Sequence, residues 1–151
     1  MNEIWKPNVT VAAVINRGGR YLMVEEETDQ GVRLNQPAGH LDENESLVDA
    51  CTRETLEESA WQFTPTALVG IYQWQRTQRD ITYLRFAFAG TLGEFDGERK
   101  LDDGILRALW MTLDEVRNSQ DRHRSPLVLQ CIVDHQAGQR IPLTAIKHYS
   151  H

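Results

Sequence analysis

Arg53, Glu54, Glu57 and Glu58, with Glu45 upstream, are the residues best placed to do chemistry in this chain. On a helix starting at Leu47, with about 100° per residue, Leu47, Ala50 and Cys51 fall on one side. Glu54, Glu57 and Glu58 continue that side, because residues three and four apart share a helix face. A solvated acidic face would sit opposite the apolar stripe. Asp49, Thr52 and Arg53 take the outer face instead. Three carboxylates turned inward repel one another and are costly to bury without compensation. Clustered hard oxygens at a cleft are what a divalent cation such as Mg²⁺ needs. The pattern reads as a metal site for phosphate chemistry. A charged helix in a different register is the alternative that spacing alone leaves open.

Several elements must position that helix. Val9 to Ile15 reads as a buried strand, Asn16-Arg17-Gly18-Gly19 as a hairpin turn and Tyr21 to Glu25 as the returning strand. The acid run from Glu25 to Gly31 reads as a solvated polar loop. Leu34 to Ala38 leads an extended segment into Gly39, and Asn44 can cap the helix that begins near Ser46. Pro65 interrupts after Trp61. Ala67 to Gln75 is a long strand, Arg76 to Asp80 a turn, and Thr82 to Ala89 the return. Gly90 to Gly104 reads as a long polar loop, a length that is often functional. Ile105 to Met111 is another strand, and Thr112 can cap a short helix. Ser125-Pro126 opens the last helix, which Gly138 stops. The alternation of strands with a central and a C-terminal helix predicts an α/β fold in one domain spanning 1–151.

The net charge of −6 argues against binding to nucleic acid polymers or anionic membranes. It does not exclude a small phosphorylated substrate, since bound cations invert the local field. The first residues lack the apolar core of a signal peptide, and no run approaches a membrane span. Cys51 and Cys131 read as reduced thiols on apolar helix faces. A cytoplasmic protein, monomer or homodimer, is expected.

Gly39, Glu45, Arg53, Glu54, Glu57 and Glu58 together resemble the signature box of the Nudix hydrolases, six fixed positions across twenty residues. Thr55 stands where that box has an apolar residue, Ala60 where it has glycine, and Trp61 is larger than the usual aliphatic. Alanine at a left-handed helix end would cost roughly 1 kcal/mol, unless the helix ends differently. Neither departure removes a carboxylate. The likeness continues through Lys6 to Ala12, Asn35 to Leu41, Leu84-Arg85-Phe86, Arg124 to Val128 and Gly138 to Leu143, which look like the NudJ-type branch. The resemblance implies a mixed sheet sandwiched between helices. It implies a hydrolase of phosphoanhydride bonds using Mg²⁺, with Mn²⁺ as a substitute. Its implied substrates are nucleoside di- or triphosphates, or pyrimidine or thiamine diphosphates. A broad nucleotide pyrophosphatase releasing pyrophosphate is the runner-up, and a non-catalytic nucleotide sensor the third reading.

Within that reading the metal ligands are Glu54, Glu57, Glu58 and, by resemblance, the carbonyl of Gly39. Glu54, Glu57 and Arg53 form the catalytic set. Arg53 holds a carboxylate, Glu45 or Glu57, in a bidentate pair rather than touching substrate. Glu45 supports the site and His40 shapes the loop. The general base is Glu54 or one of Glu98, Asp102 and Asp103. Among Tyr72, Trp74, Tyr83 and Phe86, each of which also fits an ordinary core, Trp74 is the best candidate to stack a heterocycle. Arg33, Arg76 and Arg85 can meet phosphate, and Arg85, between apolar neighbours on a strand, stands out as substrate-binding. His123, His135, His148 and His151 share no ligand spacing and read as surface residues.

Overall fold

The β-branched run near the N-terminus does form a strand, and it lies inside the sheet that carries the cleft. The computed structural model describes residues 3–150, so His151 lies outside the described residues. In chain order the elements are β1 (Asn8–Ala13), β2 (Asn16–Arg17), β3 (Arg20–Thr28), β4 (Gly31–Asn35), β5 (Ala38–His40), α1 (Leu47–Ser59), β6 (Trp61–Arg76), β7 (Ile81–Phe95), β8 (Ile105–Thr112), α2 (Leu113–Arg117), α3 (Leu127–Gln136) and β9 (Ile141–Pro142). One mixed sheet runs β5-β1-β7-β6-β9, with β1 and β7 parallel and the other neighbours antiparallel. A second sheet is built on β3, which pairs with β2, β4 and β8.

Alternation along β1 decides what each face meets. Val11 and Ala13 point with Leu68 and Phe88 toward Ala50 and Cys51 of α1. Ala12 points with Val69 and Ala87 toward Met23 and Leu34 of the second sheet and Val128, Cys131 and Ile132 of α3. The first sheet is thus held between α1 on one side and α3 on the other, while the second sheet contributes to both clusters, Tyr21 and Met23 on the α3 side and Leu22 and Trp110 on the α1 side. No described helix is long and apolar enough to cross a membrane.

Several boundaries differ from the sequence reading. The acid run is not a solvated loop: β3 continues to Thr28 and turns tightly into β4. Its Glu25 pairs with Arg107 and Arg122, and Glu26 with Arg124. Pro65 does not break β6, which accommodates it at a register shift between Pro65 and Ala67. Because β6 begins at Trp61, β7 has a partner as far as Phe95, and the connecting loop shrinks to 96–104. Ser46, not Asn44, caps α1 by accepting from the Asp49 N–H at 3.0 Å, while Asn44 occupies a left-handed turn (φ 65°). Pro126 sits at the N-cap of α3 rather than inside its first turn. His123 and His135 are half-buried rather than on the surface.

Candidate active site

Helix α1 ends as its sequence allows. Ala60 adopts the left-handed conformation (φ 65°) and donates its N–H to Leu56 O at 2.9 Å, closing the helix where glycine is more usual. Thr55 is fully buried in the apolar position, its hydroxyl donating to Cys51 O at 2.7 Å. Ser59 does the same toward Thr55 O at 2.6 Å. These internal bonds let a polar helix face lie against the sheet without orphaned groups.

That packing presses two carboxylates of α1 onto β5. A Cβ built on Gly39 would fall 2.1 Å from the Glu54 carboxyl carbon, so the bare main chain of residue 39 lies on that carboxylate. One turn later Glu58, 9% exposed, accepts the Ala38 N–H at 2.9 Å. Burial raises the Glu54 carboxyl above its ordinary range, and pushes Glu58 up to about 8. Both groups are held where a positive charge would be welcome.

Arg53 organises the other edge. Its Nε and Nη2 donate to the two oxygens of Glu45 at 2.7 and 2.9 Å, a bidentate pair. Its Nη1 reaches Glu54 at 2.8 Å and Glu57 at 3.2 Å, and Nη2 also reaches the His40 carbonyl at 3.1 Å. The hydrogen bonds it donates to Glu45 foremost raise the guanidinium pKa further, and the same contact holds the Glu45 carboxyl below its usual range. One side chain therefore binds both carboxylates that spacing offered it, adds Glu54, and pins the loop that follows β5.

Glu54 and Glu57 can each bring one oxygen within 4.8 Å of the other and of Asp102, in the loop before β8. The Asp102 N–H donates to Glu57 O at 3.0 Å, which docks that loop on the helix. Three hard carboxylate oxygens beside a glycine cradle suit a divalent cation. Glu58 is not part of this group; its bond to Ala38 turns it toward β5. Glu98 sits in the exposed loop, its N–H bonded to Asp96, and Asp103 is exposed as well. Of the loop acids read from the sequence, Asp102 is the one brought to the cluster.

A cavity of about 300 Å³ opens beside Glu54, lined among others by Gly39, His40, Glu54, Glu58, Trp74, Tyr83 and Arg85. Trp74 pairs across strands with Tyr83, and their rings stack at 5.7 Å and 15°. Tyr72 instead donates to Asp134 at 2.7 Å, and Phe86 packs on the α1 side of the sheet. Arg76 lines the cavity and pairs with Asp29 at 3.6 Å. Arg33 lies on β4 opposite Glu26. Arg85 is 6% exposed and bonds to Asn35 and Gln36 rather than to an acid. Sequence reasoning assigned no role to Asn35, Gln36 or Ser125; their signal was the unbroken polar pair Asn35-Gln36 inside an otherwise buried strand end.

Comparison with known proteins agrees with this fold. The NUDIX domain pattern matches residues 5–130. Phosphatase NudJ of Escherichia coli (strain K12) is 36% identical over 147 residues, covering 97% of this chain and 95% of that protein. A solved NUDIX hydrolase from Nitrosomonas europaea is 52% identical, covers 95% of this chain and 98% of its own, and superposes with a TM-score of 0.93. A MutT NUDIX hydrolase from Burkholderia pseudomallei, at 17% identity and a TM-score of 0.73 over 86% of this chain, shares the fold.

Proposed function

We propose, from the premise that this chain belongs to the Nudix hydrolases, that it is a Mg²⁺-dependent phosphatase of nucleotides and related heterocyclic diphosphates. It is a hydrolase of phosphoanhydride bonds. The observation that carries the finer reading is that Glu54 belongs both to the acid cluster with Glu57 and Asp102 and to the wall of a cavity that the stacked pair Trp74 and Tyr83 also lines.

Glu54 and Glu57, with Asp102 and the main chain of Gly39, would hold the cation, and Glu58 adds a carboxylate on the same wall. The ion, Mg²⁺ or Mn²⁺, neutralises phosphate oxygens and acidifies a water when bound. The chain itself does the rest. Arg53 fixes the acids through Glu45, so the ligands arrive preset. His40 holds the loop through its carbonyl bond to Arg53. Glu54, lodged against Gly39 with its carboxyl pKa raised, is positioned both to ligate and to take a proton from water; Asp102 is the second acid in reach. Trp74 lies where it can stack the heterocycle, and Arg85 borders the same space. The likeness to Phosphatase NudJ supports release of orthophosphate. One domain carries every group required.

A panel of nucleoside di- and triphosphates plus thiamine diphosphate tests this, with orthophosphate and pyrophosphate measured separately. The expected result is Mg²⁺-dependent orthophosphate release that a chelator abolishes. Pyrophosphate as the main product would favour the broad pyrophosphatase. Undiminished turnover in chelator would overturn the metal assignment.

A further inference from the structure

Arg85 determines which way the Asn35 amide faces. Its Nη2 donates to Asn35 Oδ1 at 3.0 Å and its Nη1 to Gln36 Oε1 at 2.9 Å. A guanidinium offers donors only, so both amides must turn their oxygens to it. Gln36 is then satisfied, because its Nε2 donates to Val128 O at 2.5 Å. Asn35 is left with an amide nitrogen carrying two hydrogens. The residue borders the same cavity as Trp74. Among the described residues, Arg85 Nε is the buried side-chain polar atom without a partner, and the Asn35 nitrogen is not so enclosed. It opens to the cavity. Glu26 of the second sheet, which lines the same cavity, is already engaged by Arg124 at 2.8 Å.

We propose that Asn35, held by Arg85, selects substrates whose heterocycle turns a ring carbonyl toward it. Keto bases such as uracil and guanine are accepted over amino bases such as cytosine and adenine, which put a donor at the same place. This rests on the nucleotide-phosphatase reading above. Arg85 acts as a positioning residue, through Asn35. An amino group facing the Asn35 donor leaves two donors unpaired, a loss of roughly tenfold to hundredfold in kcat/KM.

The test compares kcat/KM for UTP against CTP and GTP against ATP, with Mg²⁺, in the wild type, Asn35→Asp and Asn35→Ala. The aspartate keeps an acceptor for Arg85 and offers the cavity an acceptor instead of a donor. The wild type should prefer the keto member of each pair, Asn35→Asp the amino member, and Asn35→Ala neither. Equal kcat/KM in the wild type overturns the proposal, as does a ratio that Asn35→Asp and Asn35→Ala leave unchanged. Hydrolysis of no nucleotide at all would instead remove the nucleotide reading beneath it. A melting temperature on each variant shows that a changed ratio is not a folding loss, which would depress both members together.

Discussion

The main chain of Gly39 rests directly on the carboxylate of Glu54: an added Cβ would stand 2.1 Å from its carboxyl carbon. A strand and a helix meet there with no room for a side chain. Gly39→Ala must therefore push Glu54 away from Glu57 and Asp102. A displacement near 1 Å at a catalytic group costs about 100-fold in rate. Turnover should fall by that order while the fold survives, since Gly39 has ordinary backbone torsions and lies at the edge of the sheet. Steady-state kinetics with a thermal melt decides it; near-normal kcat would mean Glu54 is not needed where it lies.

Arg53→Lys should lower kcat about 10- to 100-fold and leave KM nearly unchanged. Lysine keeps the charge but cannot span Glu45 bidentately while reaching Glu54, Glu57 and the His40 carbonyl. The loss then lies in ligand geometry, not substrate binding. A change confined to KM would put Arg53 on the substrate.

Ala60→Gly should stabilise the protein. Alanine holds φ 65° at the end of α1, a conformation costing a side-chain-bearing residue roughly 1–2 kcal/mol, from which the entropy of glycine subtracts up to about 1. The net gain of about 0.5–1 kcal/mol corresponds to a rise in Tm of roughly 1–4 °C at this chain length. An unchanged or lower Tm would show that the alanine methyl group packs well enough to offset the strain.

How much of this was legible follows from the range of each interaction. The acids of α1 and their clamp were legible because helix period and an eight-residue reach from Glu45 to Arg53 are local facts. The strand ends were less so. Nothing in Pro65 or Gly90 says that β6 and β7 continue past them; each strand is extended by its partner, from Trp61 across to Phe95. Asp102 could be read only as one of several loop acids, since its place beside Glu57 depends on where β8 docks. Arg85 stood out on its strand, but its bonds to Asn35 and Gln36 join residues about fifty positions apart. No local pattern encodes them. Glu25 illustrates the same limit: its acid run looks solvated until Arg107 and Arg122 arrive from distant segments.

Acid should destabilise the protein through His135. Its ring lies edge-on to Tyr21 at 5.5 Å with Nδ1 3.1 Å from the hydroxyl, and burial, then the charge of Arg140, brings its pKa down to about 4. The unfolded chain holds the same imidazole near pH 6.5, so on acidification it takes the proton first. Proton uptake by the unfolded state lowers stability as pH falls. This contribution is thus intact above about pH 6.5 and lost progressively down to about 4. Tm measured from pH 8 to 4 should decline less steeply in His135→Gln than in the wild type. Parallel curves would mean that the buried ring does not resist protonation.

Trp74→Ala separates recognition from packing. Its indole lies on β6 opposite Tyr83, stacked at 5.7 Å, and borders the cavity rather than the sealed core. Stacking on a base is worth about 1–3 kcal/mol and tolerates different bases. Removing the ring should raise KM roughly 5- to 150-fold for heterocyclic substrates, at tenfold per 1.4 kcal/mol. A substrate with no ring, such as an alkyl diphosphate, keeps its phosphate contacts and should change far less. Were the indole a core residue, its truncation would cost about 3–5 kcal/mol of stability and depress every activity together. Partial exposure of the ring argues for the first outcome. Equal losses on both substrates, accompanied by a large fall in Tm, would assign Trp74 to packing and leave the heterocycle to be held by other groups.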